Sequence, residues 1–280
     1  MPDFTAVTEL PASQLNAQQM ARIRQRYQLA AGLAAGKRVL DVACGAGIGL
    51  GLVERSAASL VGCDLTYGVL ATAQRHYRHR ALLAGADAQQ LPFASAVFDL
   101  VLSFEAIYYL PQPAHFLAEA RRVLAPAGHL LIGSSNPDWP PFVPGRLSVH
   151  YPNLVELTTQ LSETGFGRVE AWGALPTESS PVDGRLRGRQ RWMAAARRVA
   201  QRIPFLATET AAARLLKRLL YGRLVPLPAE LLPTLDAGDP YSQLTPIDPT
   251  LRDRRHRVLF VLAAARGEYR TTSVRGVYDG

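Results

Sequence analysis

The sequence predicts an α/β fold, with a mostly parallel sheet of seven strands, helices on both faces, and a helical insert before the last strand. Two observations carry this. Short apolar runs of strand length alternate with amphipathic stretches of helix length through the first half. Strands that alternate with helices pair in parallel and are covered on both sides. A glycine-rich turn also closes the first apolar run, as expected where a strand hands over to a helix beside a ligand.

The elements follow in order. Val39 to Ala43 is the first strand and ends in Cys44-Gly45-Ala46-Gly47-Ile48-Gly49. Leu60 to Cys63 is the second, closed by Asp64. Ala81 to Ala84 is the third and leads to Asp87. Phe98 to Phe104 is the fourth, apolar on both faces. His129 to Ser134 is the fifth, after the turn Pro126-Ala127-Gly128. Helical patterns fill Gly49 to Arg55, Gly68 to Tyr77 and Pro113 to Leu124, and a further helix from Leu154 to Thr164 stops at Gly165. Arg168 to Ala174 alternates as a sixth strand, and Arg257 to Ala264 is the seventh. Between them lie scattered prolines and two helical stretches, Arg189 to Arg202 and Thr208 to Tyr221. The expected division is 1–174 for an N-terminal helix and the core, 175–256 for the insert, 257–266 for the closing strand and 267–280 for a frayed tail.

Composition narrows the class. The chain has 280 residues, 48% hydrophobic and 19% charged, enough for one large core and unlike a disordered chain. No apolar run approaches the ~18 residues of a membrane span. The first ten residues lack a basic stretch followed by an apolar one, so no secretory signal is expected. Cys44 and Cys63 do not suggest a disulfide framework and are read as small buried residues. A reduced, cytoplasmic protein is the expectation. The segment from Glu178 to Arg223 holds eleven basic residues against three acids, and so carries the whole net charge of +8.

Gly45 and Asp64 stand 19 residues apart, the spacing of a glycine turn with an acid that accepts from two ribose hydroxyls. A nicotinamide dinucleotide motif needs Gly or Ala where this chain has Leu50. The observed pattern is Asp41-x-x-x-Gly45-x-Gly47-x-Gly49, with an acid before the glycines.

Here the chain resembles the class I S-adenosylmethionine-dependent methyltransferases, and within them the ubiquinone/menaquinone-type small-molecule group. Four segments match in order. Val39 to Gly47 resembles the first motif, and Val61 to Leu65 the ribose strand. Asp87 to Phe93 with Phe98 to Val101 resembles the adenine loop and fourth strand. Arg121 to Gly128 resembles the approach to the fifth strand. The resemblance covers about 20–174 and the closing strand. It implies a Rossmann-like sheet, S-adenosylmethionine as cofactor, and roles for individual residues. Asp41 and the backbone from Ala43 through Cys44 and Gly45 to Gly47 hold the methionine and ribose end. Asp64 takes the ribose hydroxyls and Leu65 packs on the adenine. Asp87 accepts from the adenine amino group, and the Ala88 backbone bonds the ring. Phe104 and Glu105 border the methionine portion, and Tyr27, on an N-terminal helix, caps the cofactor. Each has a plainer reading: strand-end cap for Asp64, turn residue for Asp87, core aromatic for Tyr27.

A sulfonium methyl is already electrophilic, so alignment and exclusion of water come first. A general base is needed only for a protonated acceptor. Candidates are Glu105, Tyr108, Tyr109, His150 and Tyr151; of these His150, Tyr151 and Glu105 are the catalytic expectation. His76, His79, His115 and His256 are read as solvent-facing. No cluster has metal-ligand spacing, so no metal is expected. The acceptor is read as a small molecule methylated on O, N or C, in natural-product, glycan or lipid-linked biosynthesis. A phosphorylated, carrier-bound or lipid-linked acceptor would suit the basic insert, read as a lid. Nucleic acid is the weaker substrate. After the fourth strand the chain has Glu105-Ala106-Ile107-Tyr108 and not an Asn/Asp-Pro-Pro-aromatic motif, and Asn136-Pro137-Asp138-Trp139 lacks the second proline. Two rival functions stay open: a non-catalytic cofactor-binding subunit, and a nicotinamide or nucleotide-sugar reductase.

Overall fold

In a computed structural model, described for residues 3–176, 224–233 and 244–266, the chain builds a mixed α/β sandwich. Its strands are β1 (Gln14–Asn16), β2 (Arg38–Val42), β3 (Ser59–Asp64), β4 (Leu82–Gly85), β5 (Phe98–Phe104), β6 (Leu124–Ser135), β7 (Phe166–Pro176), β8 (Leu224–Pro226), β9 (Leu244–Ile247) and β10 (His256–Ala265). Its α-helices are α1 (Ala17–Leu33), α2 (Leu50–Glu54), α3 (Tyr67–Tyr77), α4 (Pro113–Val123) and α5 (Leu154–Glu163). The main sheet runs β4-β3-β2-β5-β6-β10-β7-β9. The pairs among β2 to β6 are parallel, while β10 is antiparallel to both β6 and β7.

Neighbouring residues of each central strand face opposite sides, so each strand feeds two cores. Val39, Leu60, Leu100, Leu102 and Leu131 pack with Ile23 and Leu29 of α1, Leu50 and Val53 of α2, and Val69 and Tyr77 of α3. Leu40, Val42, Val101, Leu130 and Ile132 pack with Phe116 and Leu117 of α4 and Leu157 and Leu161 of α5. Asn16 with Gln19 and Asn153 with Glu156 form capping boxes that start α1 and α5.

Three expectations need correction. The sheet has eight strands, because β9 pairs antiparallel with β7. Pro246 is tolerated there because β9 lies at the sheet edge. The insert is not wholly helical, since β8 and β9 fall within it and β8 pairs with β1 in a separate two-stranded sheet. His256 is buried, bonded to Asp253 at 3.0 Å and pressed on Gly173, so it does not face solvent. The expected helices at 189–202 and 208–221, the whole Arg-rich stretch at 178–223, and the tail at 267–280 lie outside the described residues. Among the described residues, no helix is long and apolar enough to cross a membrane.

The order reverses between β2 and β5: β3 and β4 extend one way, β5 and β6 the other. Ligands of open α/β sheets bind at the carboxyl ends of strands beside such a reversal. Tyr77, at the end of α3, reaches back to this region. Its buried hydroxyl donates to the Gly47 carbonyl at 2.8 Å and accepts from the Gly51 amide at 3.0 Å. Near the carboxyl end of β2, Asp41 is buried and accepts from the Tyr27 hydroxyl at 3.4 Å. Burial pushes its carboxyl up to about 7, against the pull of Arg26 and the Tyr27 bond.

Tyr77→Phe leaves two buried backbone groups without their partner, and should lower unfolding free energy by about 1–3 kcal/mol. A shift of the urea midpoint checks this, and an unchanged midpoint excludes a clamp at Tyr77. Asp41 has a folded-state pKa above its ordinary value of 3.8. Its contribution is therefore fully present below 3.8 and is lost as pH rises through about 7. Asp41→Asn, which mimics the protonated acid, should gain stability on wild type between pH 5 and pH 8. Parallel pH profiles of the two midpoints would contradict the raised pKa.

Candidate active site

The site grows from the turn after β2. The Cys44 amide continues the ladder onto the Cys63 carbonyl at 3.0 Å, and Gly47 then closes a turn onto the Cys44 carbonyl at 3.0 Å. Gly47 has φ +75°, a backbone conformation that favours glycine. Gly49 is small for a different reason: a Cβ there would lie 2.1 Å from the Tyr27 ring. The Asp64 carboxylate, at the end of β3, pins this turn. It accepts from the Gly45 amide at 2.9 Å and the Thr66 amide at 2.8 Å. Burial raises its pKa, and those amides offset part of the rise. Cys44 and Cys63 are free and buried, and burial raises both thiols, Cys63 to about 12, so neither is a nucleophile.

A cavity of about 550 Å³ opens over the turn, within the range of small-molecule sites. Ala43, Cys44, Gly45, Asp64, Leu65, Asp87 and Ala88 line it on the β2–β4 side. Asp87 is shaped by an Asx turn, accepting from the Gln89 amide at 2.8 Å. Tyr27 and Phe104 also line the cavity and meet edge to face, with centroids 5.2 Å apart. Asp41 and Gly47 are not lining residues: the first supports Tyr27, and the second shapes the turn.

Beyond β5 the lining changes to charge and aromatic rings. Glu105 has φ +53° and is anchored by its amide to the Gly133 carbonyl at 2.7 Å. Its carboxylate takes Arg22 at 2.9 Å, the Tyr108 hydroxyl at 2.8 Å and Ser135 Oγ at 2.9 Å. Burial alone would raise its pKa, but Arg22, Arg26 and the hydroxyl bonds outweigh it and hold the acid ionised. Buried Arg26 pairs with Glu9, while its Nε has no partner. Burial and Glu105 push the Tyr108 hydroxyl well above its ordinary value. Tyr108 stacks on Tyr151 at 4.0 Å and 22°, and Phe142 meets Tyr151 at 4.7 Å. All three rings line the cavity.

Of the three expected catalytic residues, Glu105 and Tyr151 therefore reach the cavity, and His150 does not. Its side chain is exposed and bonds Glu156 Oε2 at 3.0 Å, at the start of α5. The Tyr151 hydroxyl accepts from the Gly145 amide at 3.1 Å. Arg22, Tyr77, Trp139 and Arg257 join the site from outside the expected set. Arg22 has a signal, since it lies four residues before Arg26 and so on the same helix face; Arg257 has none in its local pattern. Among the described residues there is no metal-binding cluster.

Residues 40–132 match the family described as a methyltransferase domain. The phthiotriol/phenolphthiotriol dimycocerosates methyltransferase 1 of Mycobacterium ulcerans is 41% identical over 105 residues, 36% of this chain and 39% of that one. The demethylmenaquinone methyltransferase of Beutenbergia cavernae is 38% identical over 126 residues, 44% of this chain and 52% of that one. These matches span about half of each relative or less. A Thermotoga maritima structure, described as a SAM-dependent methyltransferase and possible histamine N-methyltransferase, shares the fold with TM-score 0.53 at 13% identity, over 89% of this chain and 92% of that one. With the motifs from Val39 to Gly128 in register on this sheet, residues 40–132 form a methyltransferase domain, and the chain is similar to the class I S-adenosylmethionine-dependent methyltransferases.

Proposed function

We propose that the cavity binds S-adenosylmethionine and that the chain transfers its methyl group to a small-molecule acceptor. The observation that carries this is the Asp64 carboxylate, held between the Gly45 and Thr66 amides inside a cavity that also contains Asp87 and Glu105. Each Asp64 oxygen keeps a lone pair beyond the amide it accepts from, so the ribose hydroxyls have acceptors. The orphaned Nε of Arg26 is a buried donor, and the cofactor's carboxylate is a group that satisfies it. When bound, the cofactor supplies an activated methyl on a sulfonium.

The chain's own residues supply position and dryness. Tyr27 and Phe104 close the floor, and Tyr108, Tyr151 and Phe142 form an apolar wall for the acceptor. Glu105, ionised and accepting from three donors, is a weak proton acceptor; it orients Arg22 and Tyr108 and is not the base. The two curated relatives are named for acceptors of lipid and quinone type, which agrees with an apolar wall. The acceptor is proposed here as an aromatic or otherwise apolar small molecule.

Asp64→Ala should weaken S-adenosylhomocysteine binding by about 10-fold to 150-fold, the equivalent of ~1.5–3 kcal/mol. Calorimetry showing equal affinity in the two proteins would remove the ribose assignment. The acceptor can be found by incubating the protein with extracts and methyl-labelled cofactor and reading products by mass spectrometry. With that acceptor, His150→Ala should keep kcat within about threefold, ~0.7 kcal/mol. Tyr151→Phe and Glu105→Gln should lose more than that. A His150→Ala protein without turnover would return a catalytic role to that residue.

A further inference from the structure

Three guanidiniums line the cavity, and two of them have a carboxylate partner. Arg22 pairs with Glu105 at 2.9 Å, and Arg26 pairs with Glu9. Arg257, at the start of β10, also lines the cavity. Its Nη1 donates to Gln18 Oε1 at 3.1 Å, and its guanidinium lies 5.3 Å from the centre of the Trp139 ring. Among the described residues, no carboxylate forms an ion pair with it. Arg257 is half-buried; burial and Arg22 lower its pKa, and the Glu105 charge offsets only part of the fall. A negative charge from a ligand would pair the one guanidinium of the three that Glu105 and Glu9 leave without an ion pair.

We propose that Arg257, held over the Trp139 ring, binds a carboxylate carried by the methyl acceptor and so selects aromatic acids. A guanidinium binds a carboxylate through two parallel hydrogen bonds. Tyr108, Tyr151 and Phe142 line the same cavity and offer aromatic surface to such an acceptor. A phosphate carries about −1.5 to −2 at neutral pH and overbalances a single unpaired cation, so the carboxylate is the better match. The proposal rests on the methyltransferase reading, because it assigns the cofactor's own carboxylate to Arg26.

The probe is sodium benzoate, with benzyl alcohol and phenyl phosphate as comparisons. Each is titrated by calorimetry into the full chain saturated with S-adenosylhomocysteine. Benzoate should bind at least about tenfold tighter than benzyl alcohol, the value of a charge-assisted pair. Arg257→Gln should erase that difference, Arg257→Lys should keep part of it, and the exposed control Arg168→Gln should leave it intact. Equal binding of benzoate and benzyl alcohol overturns the proposal. So does a difference that survives in Arg257→Gln, or benzoate that binds only when S-adenosylhomocysteine is absent. Tighter binding of phenyl phosphate than benzoate overturns the choice of carboxylate. Failure of S-adenosylhomocysteine to bind would instead contradict the proposed function, and the benzoate titration of free wild type and Arg257→Gln then decides the carboxylate site alone.

Discussion

The geometry of the site depends on one interaction, the grip of the Asp64 carboxylate on the Gly45 and Thr66 amides. β2 and β3 are parallel neighbours, with Val42 opposite Cys63, so the turn after one and the acid ending the other emerge side by side. The carboxylate then joins the two ends. Gly45 fixes the path into α2, and Thr66 fixes the start of α3. From α3, Tyr77 returns to hold Gly47 and Gly51. The loop is thus tied at both ends before any ligand is present, and a preorganised site loses less on binding.

Two strained residues stand at the same place. Ala43 and Glu105 follow β2 and β5, the two strands that flank the reversal, and both have positive φ without being glycine, at 61° and 53°. Such positions persist only where their surroundings over-determine them. Ala43 is held by the extended ladder to β3 on one side and the glycine turn on the other. Glu105 is held by its amide bond to Gly133 and by three side-chain donors. These two residues therefore sit where strands end and the cavity begins, and the regular strands behind them hold them in place.

Much of this is legible in the sequence because it is periodic or local. The central strands are continuous apolar runs, and the glycine turn, Asp64 and Asp87 are short-range patterns. The β2–β4 side of the cavity can accordingly be read residue by residue, from Ala43 to Ala88. The side beyond β5 cannot, because it is assembled from distant parts of the chain. Arg22 comes from α1, Glu105 from the end of β5, Ser135 from β6 and Arg257 from β10, and no spacing joins them. His150 shows the opposite error. Its loop does approach the cavity, but the neighbouring Tyr151 turns in, while the α5 capping residue Glu156 draws the imidazole outward. β9 escapes a sequence reading because Leu244-Thr-Pro-Ile looks like a turn, and only an edge position accommodates its proline.

The return from the insert is built into the glycine turn itself. The Leu231 amide donates to the Ile48 carbonyl at 2.8 Å, and Leu227 and Leu231 are buried in the core beside α1 and α2. Glu230 lies against Gly51, where a Cβ would meet its Oε1 at 1.9 Å, and it bonds His76 at 2.9 Å and Arg80 at 2.8 Å. On the other side β1 pairs with β8, and β1 leads directly into α1, which carries Arg22, Arg26 and Tyr27. A displacement of Ile48 or Gly51 therefore reaches residues 224–233 through one hydrogen bond and one close contact, and from there the start of α1 through the β8–β1 ladder. Because packed groups transmit displacement and do not absorb it, the turn that holds one side of the cavity and the helix that supplies charge to the other cannot adjust independently.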